Sequence, residues 1–192
     1  MQTDRRSKII IVSASGRTRE SLTDWILDGR YAEISGASSG AEARRFAAQR
    51  DLDLAVIAPP IAGDLEMELA EDLSARGIAV MLLAEPMQCD LLSGICEEAG
   101  IALLRMPVSR DGFSQALGLL LAMQRRLSET QAQLRKLQRR LDDERFINRA
   151  KLMLALERGM SESEAHRYLE KQAMDRCIKL RQAAELALRG EI

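Results

Sequence analysis

Short apolar runs and helical stripes alternate through the first 120 residues. Residues 9–12 are all β-branched, the mark of a strand buried on both faces. Leu22 and Ile26, four apart, put one stripe on a helix over residues 17–27. A weaker strand at 32–36 leads into 40–49, where Ala43 and Ala47 share a helical face. Residues 53–58 form another apolar strand, stopped by Pro59 and Pro60, which cannot continue a ladder. Leu65, Leu69 and Leu73 make the next helical stripe, and residues 78–84 are the clearest strand in the chain. Leu91, Leu92, Ile95 and Ala99 mark a further helix, and residues 101–105 a fifth strand. Strands and helices in this order predict an α/β fold, a doubly wound parallel sheet with helices on both faces.

After Pro107 the period changes. From 111 to 158 there is no proline, and the glycines Gly112 and Gly118 both fall near the start. Leu120, Leu127, Leu134 and Leu141 recur every seven residues, with Met123, Thr130 and Leu137 three residues behind the first three. That is an a/d seam, flanked by Arg125, Arg126, Glu129, Arg135, Arg139 and Arg140. A helix this polar off the seam has little of its own to bury the stripe against, so the pattern predicts a dimerising coiled coil. The competing reading is a long surface helix packed on its own domain. Gly159 suits a left-handed helix stop, and Ser161 with Glu164 reads as a capping box. One helix then runs over 162–174 with Ala165, Leu169 and Ala173 inward. A last one covers 179–188 with Leu180, Ala184, Ala187 and Leu188 inward. The expected organisation is a front domain over 1–120, a coiled-coil helix over 121–144, and a small three-helix module over 145–192.

Charge sharpens this division. Residues 1–123 hold 12 Lys and Arg against 18 Asp and Glu, whereas residues 124–192 hold 16 against 11. A polyanionic partner is therefore expected at the rear. The start of the chain lacks the pattern of a signal peptide, and no apolar run approaches the ~20 residues that span a bilayer. Cys89, Cys96 and Cys177 form neither an even framework nor a Cys-x-x-Cys pair, so neither disulfides nor zinc is expected and the reducing cytoplasm is the expected location. No nucleophile–base pair, metal-ligand spacing or phosphate loop stands out; residues 36–40 are too weak a glycine-rich signal. The expectation is a non-enzyme without cofactor or metal. Trp25 and Phe46 are expected on the sheet, and Cys177 in packing.

The front half resembles a response-regulator receiver, a flavodoxin-like fold. Receivers hold magnesium with an acidic pair ending the first strand and take a phosphoryl group on an aspartate ending the third. A Ser or Thr ends the fourth strand, and Lys-Pro follows the fifth. Here those registers fall on Ser13 and Ala14, Ala58, Ala84 and Met106, with Pro107 in its place. Alanine cannot accept a phosphoryl group, and Ser13 with Ala14 lacks the hard charged ligands magnesium prefers. No acid occurs from Leu54 to Gly63, so a shift of register does not rescue the acceptor.

The rear half is similar to the ANTAR domain of AmiR- and NasR-type antitermination regulators. Four separated pieces carry the likeness in order and spacing: Ile147, Ala150 and Lys151; Gly159; Glu164 and Ala165; Ala173 and Met174. Leu152 departs from a frequent glycine, Glu170 from a frequent arginine, and His166 from an aromatic. The resemblance implies a dimer that binds paired hairpins in leader mRNA and lets polymerase read through. It also implies control by a ligand-sensing regulatory protein rather than by phosphorylation. The basic and polar residues nearest the motif, Arg145, Asn148, Arg149, Lys151, Arg167, Lys171, Arg176 and Lys179, are the expected RNA contacts. Tyr168 is a candidate for base stacking or for partial burial, and His166 for packing. The alternatives are a dimeric DNA-binding regulator and a protein-binding adaptor.

Overall fold

A computed structural model describes residues 7–26, 33–63 and 65–192. The chain divides into two compact units, Met1–Leu127 and Ser128–Ile192.

The first unit contains strands β1 (Lys8–Val12), β2 (Glu33–Ala37), β3 (Leu54–Ile57), β4 (Ala79–Ala84) and β5 (Ala102–Arg105). They form one parallel sheet in the order β2-β1-β3-β4-β5, the flavodoxin-like order. Helices α1 (Gly16–Ile26), α2 (Gly40–Gln49), α3 (Glu66–Ala75) and α4 (Pro86–Ala99) connect them. The fold is the doubly wound sheet that the alternation predicts; Leu27 and Ala32, at the expected edges of the first helix and second strand, lie outside the described residues.

Period-two alternation sends each central strand into two cores. Ile10, Val12, Ala55, Ile57, Val80 and Leu82 face one core, closed by Ala43 of α2, Leu69 and Leu73 of α3 and Cys96 of α4. Ile9, Ile11, Leu54, Val56, Met81 and Leu83 face the other, closed by Leu22 and Ile26 of α1 and by Phe113, Leu117 and Leu121 of the next helix, α5 (Arg110–Arg158). Trp25 packs edge-on against Phe113 with ring centroids 5.6 Å apart, and Phe46 packs on the first core. Two helical stripes sit differently from the simple reading. Leu65 is the N-cap of α3 and lies 63% exposed. On α4, Leu91 and Ile95 point outward while Cys96 is the buried residue.

Helix α5 is 49 residues long. Its first turns belong to the front unit as far as Arg125: Leu120 packs half-buried on the second core, Gln124 Nε2 donates to the carbonyl of Gly77, and Arg125 reaches Ser7 Oγ. From Glu129 to Asp142 every residue is exposed. The last turns form the second unit with α6 (Glu162–Asp175) and α7 (Leu180–Leu188). That unit closes on Ala150 and Leu154 of α5, Ala165 and Leu169 of α6, and Ala184 and Ala187 of α7. Four alanines among these six let the helices approach closely, since interaxial distance follows side-chain size.

Candidate nucleic-acid interface

The carboxyl edge of the front sheet is where a receiver does its chemistry. Ser13 is fully buried at the end of β1, its carbonyl accepting from Arg19 Nη1 and its Oγ from the Ser15 amide. The Ala14 amide donates to the Pro60 carbonyl at 2.7 Å, and Ser39 bridges to Ala62, so the loops after β1, β2 and β3 are tied together. Ala58 and Ala84 are buried. Met106, where a receiver has lysine, packs half-buried on the second core while its amide donates to Ala84. None of the five positions brings a carboxylate or a cation to this edge. Among the described residues no group of three His, Cys, Asp or Glu is placed to hold a metal ion.

The rear module is set by its caps. Gly159 takes the left-handed conformation, φ 65°, that ends α5. Ser161 Oγ accepts from the Glu164 amide, and the Glu164 carboxylate accepts from the Ser161 amide at 2.8 Å, a reciprocal capping box. The Ser161 hydroxyl also donates to the Glu164 carboxylate at 2.7 Å, and this bond, followed by that from the Ser161 amide, holds the Glu164 carboxyl below its ordinary pKa. Cys177 is not a packing residue: it is exposed and supplies the left-handed turn, φ 53°, between α6 and α7.

The eight expected contacts do not form one cluster. Lys151 is the least exposed, its side chain only 14% accessible, because its Nζ lies 2.8 Å from the Glu162 carboxylate. The hydrogen bond and charge of Lys151 lower the pKa of Glu162. Lys151 shares an open depression at the start of α6 with Ser161, Glu162, Ser163 and His166. His166 Nε2 stands 3.4 Å from Glu170, and its Nδ1 is buried without a hydrogen-bond partner among the described residues. Arg167 and Lys171 are exposed one turn apart on α6, and Arg176 is its exposed C-cap. Lys179, the N-cap of α7, borders a different depression with Arg139, Asp143 and Arg181. Arg149 lines a third, with Leu152, Leu156 and Leu188. Arg145 and Asn148 are exposed on α5, Arg145 within 3.7 Å of Asp142.

Two arginines outside that set turn out to be internal ties. Arg181 donates to Asp143 and to Glu185 and lies over the Phe146 ring at 4.8 Å. The hydrogen bonds to Asp143 and then Glu185 raise its pKa. Arg158 donates to the Tyr168 hydroxyl and lies over its ring at 5.1 Å, so Tyr168 is half-buried and already stacked. The four-residue spacing of Arg181 and Glu185 signals the first tie in sequence; nothing local signals the second.

Comparison with known proteins agrees with both halves. The ANTAR domain family matches residues 135–186. The transcriptional regulatory protein PdtaR of Mycobacterium tuberculosis, from strains CDC 1551 and H37Rv alike, is 24% identical over 182 residues, covering 94% of this chain and 89% of that protein. The signal receiver domain of an HD domain-containing protein from Pseudomonas fluorescens Pf-5 superposes with a TM-score of 0.61 at 20% identity, over 67% of this chain and 96% of that one. A response regulator receiver domain protein from Clostridium thermocellum gives 0.56 at 20% identity, over 63% and 98%. No helix among the described residues is long and apolar enough to cross a membrane.

Proposed function

Since the chain is an ANTAR-domain protein with a receiver-like front domain, we propose that it is a cytoplasmic antitermination regulator that binds paired hairpins in leader mRNA as a homodimer. The observation that carries the reading is the ANTAR match falling on a compact three-helix unit whose motif lysine is held in place by an acid. Glu162 occupies the position on Lys151 that a phosphate would take, and displacing it exposes a charged donor at the start of α6. Arg167 and Lys171, with Arg176 at the end of the same helix, add exposed cations that supply the salt-dependent part of affinity. Hairpin loops offer unstacked bases that proteins read by stacking and edge hydrogen bonds.

The exposed stretch of α5 supports a coiled-coil dimer. Met123, Leu127, Leu134, Leu137 and Leu141 are all more than half exposed. A helix exposed over this length is marginal by itself. Two copies side by side bury the stripe and present two modules to two hairpins, which raises effective concentration without new contacts.

Control falls to something other than phosphorylation, with a ligand-sensing partner protein as the natural agent. Ala58 offers no acceptor oxygen, and Ser13, Ala14, Ala84 and Met106 offer no charge around it. Incubation with a small phosphoryl donor and magnesium, followed by intact-mass measurement, is expected to show no added phosphate; a stoichiometric adduct would overturn this part. Gel shifts against tandem-hairpin RNA, a loop-scrambled RNA and duplex DNA test the function itself. Selective binding to the intact hairpins supports antitermination. Equal binding to duplex DNA would favour an operator-binding regulator, and no binding a protein adaptor.

A further inference from the structure

The face of α5 that carries Leu134, Leu137 and Leu141 keeps its apolar character where the three-helix module begins. Eleven residues make close to three whole turns at 3.6 residues per turn. Leu152, eleven beyond Leu141, therefore returns to the same side of the helix, and Leu156 follows one turn later. These five leucines are 54%, 54%, 56%, 62% and 78% exposed. Between Leu141 and Leu152 the same face shows Arg145 and Asn148, both exposed. The module's own packing uses other residues of this segment, Ala150 and Leu154, which are fully buried. At Leu152 the stripe opens into a depression of about 670 Å³ walled by Phe146, Met153, Leu156 and Leu188.

We infer that a second copy of this chain covers the whole stripe, so that the self-association seam runs on through the ANTAR module to Leu156. The inference rests on the coiled coil proposed above and extends it. The charge pattern selects a parallel second copy as the occupant. With Leu141, Arg145, Asn148 and Leu152 on the seam, Glu144 and Arg149 flank it on opposite sides, five residues apart. That is the spacing at which flanking side chains of two parallel helices meet across a seam, and two-fold symmetry forms the pair twice. RNA fits the face poorly, because exposed leucines give no phosphate contact and Glu157 and Glu185 offset the two arginines, Arg149 and Arg189, that line the same depression.

The step of eleven, in place of seven, locally relaxes the left-handed supercoil. Arg145 and Asn148 at that step reduce seam stability and fix its register, as single polar seam positions do. Arg145, Asn148 and Arg149 are thereby assigned to pairing, which leaves Lys151 and the α6 cations for RNA.

Sedimentation equilibrium of the full-length chain tests this. The wild type is expected to be a dimer. Leu152→Gln combined with Leu156→Gln is expected to weaken it at least tenfold while the front domain stays folded by circular dichroism, since both side chains are exposed. Glu144→Arg and Arg149→Glu are each expected to weaken the dimer, and together to restore it. A monomeric wild type, or an unchanged dimer constant in the leucine variant, overturns the inference. Gel shifts on the same proteins separate it from the RNA reading. Dimerisation that depends on Leu152 without hairpin binding defeats the RNA reading alone; hairpin binding with an insensitive dimer constant defeats this inference alone.

Discussion

Lys151 and Glu162 sit 2.8 Å apart, eleven residues from each other in sequence and on two helices. The depressed pKa of Glu162 means the pair is complete above the ordinary carboxylate value of 4.5 and is lost as pH falls through the lower folded value. In the proposed function the ionised acid competes with RNA phosphate for the lysine at neutral pH. Glu162→Gln removes that competitor and is expected to tighten hairpin binding, measured in the same salt titration. Lys151→Met is expected to weaken binding and to reduce the salt slope by about one unit, measured by titration across salt. An unchanged slope would remove Lys151 from the contact set. At the front, Ala58 is fully buried among apolar neighbours. Ala58→Asp is expected to lower stability by about 2 kcal/mol or more in a urea melt, because the carboxyl is taken out of water among apolar neighbours. It is also expected to gain no phosphorylation, since Met106 and the Ser13–Ala14 pair stay as they are.

At the scale of elements, hydrophobic period and cap chemistry were enough to place every strand and helix to within a few residues. Strands such as β1 and β4 are apolar on both faces, and Ser161 with Glu164 and Gly159 mark helix ends through side-chain chemistry that is local in sequence. Facing was less legible. Helix α4 has apolar residues around much of its circumference, so its pattern does not say that Cys96 turns inward while Leu91 and Ile95 stay out. The ion pairs of Lys151 with Glu162 and of Arg181 with Asp143 join different helices, and no local spacing encodes them. Among the eight expected RNA residues, Lys151, Lys179 and Arg149 border three different depressions. Two element-scale predictions follow from the caps and the seam. Ser161→Ala is expected to cost about 1 kcal/mol in a thermal melt. The contribution of Glu164, whose pKa is lowered by its bonds to Ser161, persists above 4.5 and fades as pH falls through the lower folded value. Leu134→Lys with Leu137→Lys is expected to abolish dimerisation in sedimentation without loss of helix from the front domain.

For the molecule as a whole, the front is acidic and the rear basic, a division that matches the different partners proposed for the two halves. In the proposed function the receiver-like sheet is the platform for another protein, and the rear module carries the cations. The proposed dimer would link them, because avidity for two hairpins needs two modules held together. The central claim is hairpin recognition, and the most direct measurement is a gel-shift titration of the full-length chain against tandem-hairpin leader RNA, with loop-scrambled RNA and duplex DNA as competitors, at several salt concentrations. The expected result is salt-dependent binding that only the intact hairpins support and that neither competitor displaces. Displacement by duplex DNA at equal concentration, or binding indifferent to the loop sequence, would contradict it.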